Sequence, residues 1–208
     1  LRFPGHEHVA IKDGVPEGWE KKTVGEVSSF ISRGITPNYD DEAPGIVLNQ
    51  KCIRNQRIDI SLARRQSKKV PKEKLVQYGD VLINSTGQGT LGRVAQLLLP
   101  VEDCTVDSHV TIARPEEGIP INIYGHCITP MGKFLSTMGR GATNQTELSR
   151  ETVAELPFLQ PPKALANEFE SSVKGISDQI QNLMRQNSLL IKSRDLLLPR
   201  LMNGEIAV

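Results

Sequence analysis

Residues 169–201 read FESSVKGISDQIQNLMRQNSLLIKSRDLLLPRL, and within them Phe169, Val173, Ile176, Ile180, Leu183, Asn187, Leu190, Arg194, Leu197 and Leu201 recur at alternating steps of four and three. That spacing is the a/d seam of a coiled coil, sustained over more than four heptads. With Val173, Ile180 and Asn187 as a positions, two are β-branched and the third is a polar Asn, which fixes register at some cost in stability. Pro162 suits a first helical turn, and Gly175 alone interrupts the helix formers before Pro199. A helix from Pro162 to Leu198 is ~55 Å long at ~1.5 Å per residue, longer than the preceding body can cover. A partner helix, antiparallel, is therefore expected on Phe169, Val173, Ile176, Ile180, Leu183, Asn187, Leu190 and Leu197. A lone amphipathic helix lying on the body is the alternative, but a 3.6-residue period drifts off such a seam by ~20° per heptad.

Outward from this helix, the 208 residues amount to about 1.4 times a ~150-residue domain, one full domain plus an added element. Residues 1–22 form a lead-in broken by Gly and Pro. Residues 23–160 form the body, and residues 161–208 the long helix and tail. In the body, Gly45–Asn49, Arg57–Ile60, Asp80–Asn84, Arg93–Leu97 and Thr105–Ala113 are apolar runs bounded by Gly, Pro, Asn or Asp and read as strands. Ile123–Met138 is more helical, interrupted by Pro130. The expected class is α+β: a mixed, β-rich globular domain followed by a long C-terminal helix that forms a coiled coil.

The net charge of +1 conceals an uneven distribution: Lys51–Lys74 holds nine basic residues against Asp59 and Glu73. A block of +7 in a remainder of −6 suits a polyanion, because phosphate attraction acts over a Debye length of ~8 Å and not over the whole molecule. A solvated basic loop is the bland alternative. Cys52, Cys104 and Cys127 are single, with neither zinc-site spacing nor the even count of a disulfide framework. A reducing cytoplasm is the natural compartment. No run approaches the ~18–20 apolar residues of a membrane helix, so no membrane partner is expected. The start at Leu1, without an initiator Met, favours a cut from a longer chain.

Catalytic patterns find little support. Gly87-Gln88-Gly89-Thr90-Leu91-Gly92 matches a dinucleotide-binding glycine motif, yet only Arg93–Leu99 separates it from Pro100, too short for the crossover helix that the motif requires. A hairpin or surface loop is expected there. His6-Glu7-His8 lacks a third ligand nearby, and His109 and His126 stand alone. Gln160-Pro161-Pro162 is followed by Lys163, so the Asn/Asp-Pro-Pro-aromatic signature of amino-methyltransferases is absent.

Seven stretches occur in a familiar order: Pro16–Glu20, Gly34–Pro37, Gly79–Gly87, Leu91–Ala95, Gly141–Gln145, Leu156–Pro162 and Leu198–Ile206. Together they resemble the ordered landmarks of a type I restriction-modification specificity subunit. The resemblance covers nearly the whole chain and implies a target recognition domain that reads one half of a split DNA site, followed by a spacer helix that pairs antiparallel with its counterpart. A full subunit resembles two such units in tandem, whereas this chain holds one; it is a half subunit that dimerises or one half of a longer polypeptide, and the lead-in from Phe3 to His8 resembles the junction before a second half. The implied partners are double-stranded DNA, methyltransferase (modification) subunits and a restriction subunit. S-adenosylmethionine is expected on the modification subunit; no cofactor, metal or catalytic residue is expected in this chain.

Phosphate contacts are expected from Lys51, Arg54, Arg57, Arg64, Arg65, Lys68 and Lys69 of the basic block, with Arg33, Arg93 and Arg140. Base readout needs forked donors and amides, and the candidates are Asn49, Gln50, Arg54, Asn55, Gln88, Asn144 and Gln145. The competing reading is a coiled-coil adaptor that holds two proteins apart without specific DNA binding.

Overall fold

The computed structural model describes residues 8–139 and 147–206. The chain divides at Glu170/Ser171 into two compact units.

The first unit is built around a four-stranded antiparallel sheet. Among the described residues the strands are β1 (Ile11–Lys12), β2 (Val15–Pro16), β3 (Glu20–Thr23), β4 (Ser28–Arg33), β5 (Gly45–Leu48), β6 (Ile53–Arg54), β7 (Arg57–Ile58), β8 (Arg64–Gln66), β9 (Val81–Asn84), β10 (Val94–Gln96), β11 (Cys104–Val106), β12 (Val110–Pro115) and β13 (Pro157–Gln160). The helices are α1 (Ile121–Ile128), α2 (Gly132–Thr137), α3 (Arg150–Ala154) and α4 (Lys163–Met202). The central sheet has the order β10-β9-β12-β4, and a second sheet has the order β11-β5-β8, with β11 parallel and β8 antiparallel to β5.

Strand alternation divides the core in two. Val81, Ile83, Val94 and Ala113 point to one face of the central sheet, where they meet Ile123, Tyr124, Ile128 and Leu135 of α1 and α2 together with Val153 and Phe158. Leu82, Ala95, Val110 and Ile112 point to the other, against Leu48, Cys104 and Val106 of the second sheet and Ile53 and Ile58 of the β6–β7 pair. Because both faces are covered, β9 reads as an unbroken apolar run and not as an alternating one.

The apolar stretch from Thr105 to Ala113 is two strands. At Asp107, whose Oδ1 accepts from the His109 N–H at 2.9 Å, the chain turns. β11 then belongs to one sheet and β12 to the other, so the chain changes layer at this Asp turn. Gly34 passes so close to β11 that a Cβ there would lie 1.9 Å from the Val106 carbonyl oxygen.

Beneath the sheet, Asp80 is wholly buried and takes a forked ion pair from Arg114, Nε to Oδ1 at 2.8 Å and Nη2 to Oδ2 at 2.8 Å. Burial holds this carboxyl above the usual carboxylate range; the Arg114 bonds and the Gln77 N–H, at 2.7 Å, pull the other way.

β3 pairs antiparallel with β13, Glu20 opposite Gln160 and Thr23 opposite Pro157. The lead-in therefore ends as a strand of the body. Leu165 and Ala166 are buried and Phe169 packs against the first core cluster, edge-on to the His126 ring at 5.3 Å. The opening turns of α4 thus belong to the body, and Phe169, expected on the pairing seam, is part of this core.

The second unit is the remainder of α4. The helix runs through Pro199 to Met202 and does not stop at Leu198, because a proline within the last turn removes a single helical hydrogen bond. Gly204, at φ 72°, closes it, with the Gly204 N–H donating to Leu201 O at 3.2 Å. Ile176, Ile180, Leu183, Leu190, Leu197 and Leu201 are exposed along it. Among the described residues no helix is long and apolar enough to cross a membrane.

Candidate nucleic-acid interface

The residues Ile53-Arg54-Asn55-Gln56-Arg57-Ile58 form a two-stranded ribbon, Ile53 opposite Ile58 and Arg54 opposite Arg57. The two isoleucines are buried and anchor its base; the two arginines are exposed. Asn55 and Gln56 form the two-residue turn at φ 51° and 57°, positive at both central positions as a primed hairpin turn demands. Asn tolerates this region, but the second place ordinarily goes to Gly. A side chain there costs roughly 1–2 kcal/mol.

Facing the tip is the loop Gly87–Gly92 between β9 and β10. Thr90 and Leu91 donate backbone bonds to Gly87 O at 3.1 and 2.9 Å, and Gly92 to Asn84 O at 2.8 Å. At Gly92, φ 77°, a Cβ would lie 2.5 Å from the Ser136 nitrogen and 2.7 Å from Gly132 O, so α2 can approach only because Gly92 has no side chain. The strand after this loop returns antiparallel to β9, with no helix opening on the glycines. The glycine pattern serves a hairpin and a close helix contact, not a dinucleotide.

Between ribbon and loop runs a groove of about 650 Å³. Its walls carry Asn55, Gln56, Gln88, Arg93, Lys133 and Ser136, and Leu91, Val94 and Pro130 supply its apolar lining. Among the described residues, Arg93 and Lys133 are its charged groups and no carboxylate lines it. Arg93 is steadied by donating to Gly89 O at 2.9 Å.

The groove brings together three of the residues expected at DNA, Asn55, Gln88 and Arg93. Gln56 and Lys133, which the sequence does not single out, share its walls with them. The tight IRNQRI hairpin could have flagged Gln56; no local pattern flags Lys133.

The other expected contacts lie elsewhere. Arg33 pairs with Glu147 at 2.6 Å and donates to Leu148 O at 2.9 Å. Asn49 caps a short 3-10 turn, its Oδ1 accepting from the Lys51 N–H at 2.9 Å. Gln50 Nε2 donates to the carbonyl of Thr86, and the Gln50 backbone carbonyl accepts from Asn84 Nδ2 at 3.0 Å. The basic block, continuous in sequence, is divided in space between the ribbon and the edge strand β8. At that strand Arg64 stacks on the Tyr39 ring at 3.8 Å, Arg65 donates to Pro44 O at 2.9 Å and Lys68 to Thr36 O at 3.0 Å. Lys51 and Lys69 are exposed. Arg140, Asn144 and Gln145 lie outside the described residues.

Burial pushes the Cys104 thiol up to about 12 and the Cys127 thiol up to about 11, away from the nucleophilic thiolate. Among the described residues no three His, Cys, Asp or Glu side chains group as a metal site.

No family model matches the chain. It is 27% identical over 210 residues to the type I restriction enzyme HindI specificity subunit of Haemophilus influenzae, a match covering 92% of this chain and 42% of that protein. Among solved structures, the S subunit of a type I restriction-modification system from M. genitalium superposes with a TM-score of 0.61 at 11% identity, covering 93% of this chain and 47% of that one. The HsdS subunit of Thermoanaerobacter tengcongensis gives 0.56 at 19%, covering 92% and 46%. The chain therefore spans less than half the length of each relative, and the solved structures establish the fold. In sequence and in fold, the chain is similar to one half of a type I restriction-modification specificity subunit.

Proposed function

We propose that this chain is a half-site DNA recognition module, the part of a type I specificity subunit that reads one element of a bipartite target while its long helix pairs with a second copy or second half. The observation that carries the reading is the match to the HindI specificity subunit over 92% of this chain. The groove, with Arg93 and Lys133 and no carboxylate among the described residues, supports it, since Lys and Arg neutralise phosphates while carboxamides and guanidinium forks read base edges. The exposed seam from Ile176 to Leu201 supports the pairing. In this reading the chain works in the cytoplasm, assembled with modification and restriction subunits. It performs no chemistry itself: methyl transfer from S-adenosylmethionine is carried out by the modification subunits that it positions.

The test is transfer of labelled methyl groups from S-adenosylmethionine to duplex DNA, with the chain alone and then with its modification subunits. No transfer by the chain alone and sequence-specific transfer by the assembly are expected. Transfer by the chain alone overturns the non-catalytic role. Absence of specific transfer by the complete assembly overturns DNA recognition and leaves the coiled-coil adaptor.

A further inference from the structure

At the tip of the β6–β7 ribbon three features coincide. First, the ribbon is a two-stranded element with an anchored base, and the major groove of B-DNA, about 12 Å wide, admits a two-stranded β-ribbon. Second, its exposed face reads Arg54-Asn55-Gln56-Arg57, two carboxamides between two cations, and among the described residues no carboxylate lines the groove beside it. Third, Gln56 keeps a long side chain at φ 57°, where glycine is relaxed. Such strain persists where the side chain is used. Asn55 and Gln56 make no hydrogen bond to the other described residues, so their donor and acceptor pairs are unspent. Across the groove, Gln88 is exposed on the Gly87–Gly92 loop and Lys133 on α2.

Resting on the DNA-recognition reading above, we infer that the β6–β7 ribbon enters the major groove, where Asn55 and Gln56 read adenines of A·T pairs. A carboxamide offers one acceptor and one donor at the spacing of adenine N6 and N7, which is the pairing the major groove favours for Asn and Gln. Arg54 and Arg57 take the flanking phosphates. Gln88 contacts an adjoining base, and Lys133 anchors the strand that crosses the groove. Gln56 is a specificity-determining residue whose presence destabilises the free protein.

The experiment is selection of bound duplexes from a randomised library by the full chain, repeated with Gln56→Gly and Asn55→Gly, alongside thermal melting and salt titration. The wild type should enrich a motif containing A·T positions. Gln56→Gly should lose discrimination at one or two of these by about 5- to 150-fold, keep its salt dependence, and melt about 2–4 °C higher as the strain is relieved. An identical motif in both variants overturns the inference, as does an equal loss on all duplexes. So does a Gln56→Gly protein whose motif is flattened but whose Tm does not rise, since the turn is then merely structural. A wild type that enriches no motif overturns the DNA-recognition reading itself, an outcome distinct from an intact wild-type motif that the variants leave unchanged.

Discussion

Replacing Arg114 by Met tests how the central sheet is held to the loop beneath it. Asp80 has no exposed surface and the Arg114 side chain is 12% exposed, so the pair is shielded from solvent and salt. Both Asp80 oxygens accept from the guanidinium, which also donates to Leu75 O at 2.7 Å. Arg114→Met leaves the carboxylate with the Gln77 N–H and orphans the Leu75 carbonyl. Breaking a buried pair from one side costs about 3–5 kcal/mol, equivalent to a fall in Tm of roughly 6–20 °C at ~2–4 °C per kcal/mol for a domain of this size. Burial already holds the folded-state pKa of Asp80 above its usual range, and the guanidinium opposes that rise. Without Arg114 the folded pKa climbs further above the unfolded value of ~3.9. The folded variant then binds more protons than the unfolded chain between those two values, so its stability rises as pH falls through the window and is lost as pH rises. Urea unfolding at pH 8 and pH 5 should show a smaller deficit at pH 5. The double variant Asp80→Asn/Arg114→Met, which buries no charge, should recover part of the loss. A deficit under about 1 kcal/mol, or one equal at both pH values, refutes the buried-pair account.

Ile180→Asp with Leu183→Asp should convert a self-associated chain into monomer by sedimentation, whereas a monomeric wild type refutes helix pairing with a second copy. Gly34→Ala forces a Cβ to 1.9 Å from backbone and should cost more than about 3 kcal/mol, whereas Gly175→Ala, with nothing within 4 Å in the helix, should gain about 1 kcal/mol; urea midpoints of opposite sign check both. Because the folded Cys104 thiol titrates only near about 12, its stabilising contribution is complete below the unfolded value near 9 and is lost as pH rises from there. The stability gap between wild type and Cys104→Ala should therefore narrow by about 1.4 kcal/mol per pH unit above pH 9; a constant gap refutes it. Arg54→Ala/Arg57→Ala should reduce the log–log salt slope of DNA binding by ~0.9 per residue, while Arg65→Ala/Lys68→Ala, whose cations bond backbone carbonyls, should leave it unchanged.

The long helix and β9 are legible because their signals are local: a heptad seam and a run buried on both faces. β4, Ser28–Arg33, is hidden by its serines, and β8, Arg64–Gln66, reads as charge because an edge strand needs no apolar content. The change of layer at Asp107 is invisible because two abutting apolar strands spell one. For the candidate site, Asn55, Gln88 and Arg93 stand near turn signals, and tertiary packing brings them to one groove. Arg33, Asn49 and Gln50 carry the same chemistry but spend it on Glu147, Lys51 and Thr86. Nothing in a side chain's identity tells whether its partner is internal.

The pairing of β3 with β13 means that the polypeptide enters and leaves the body side by side. Everything between Thr23 and Pro157 is a closed excursion from one two-stranded seam. A body of different length or sequence that preserved this seam would hand the chain to α4 at the same point, whatever the excursion contained.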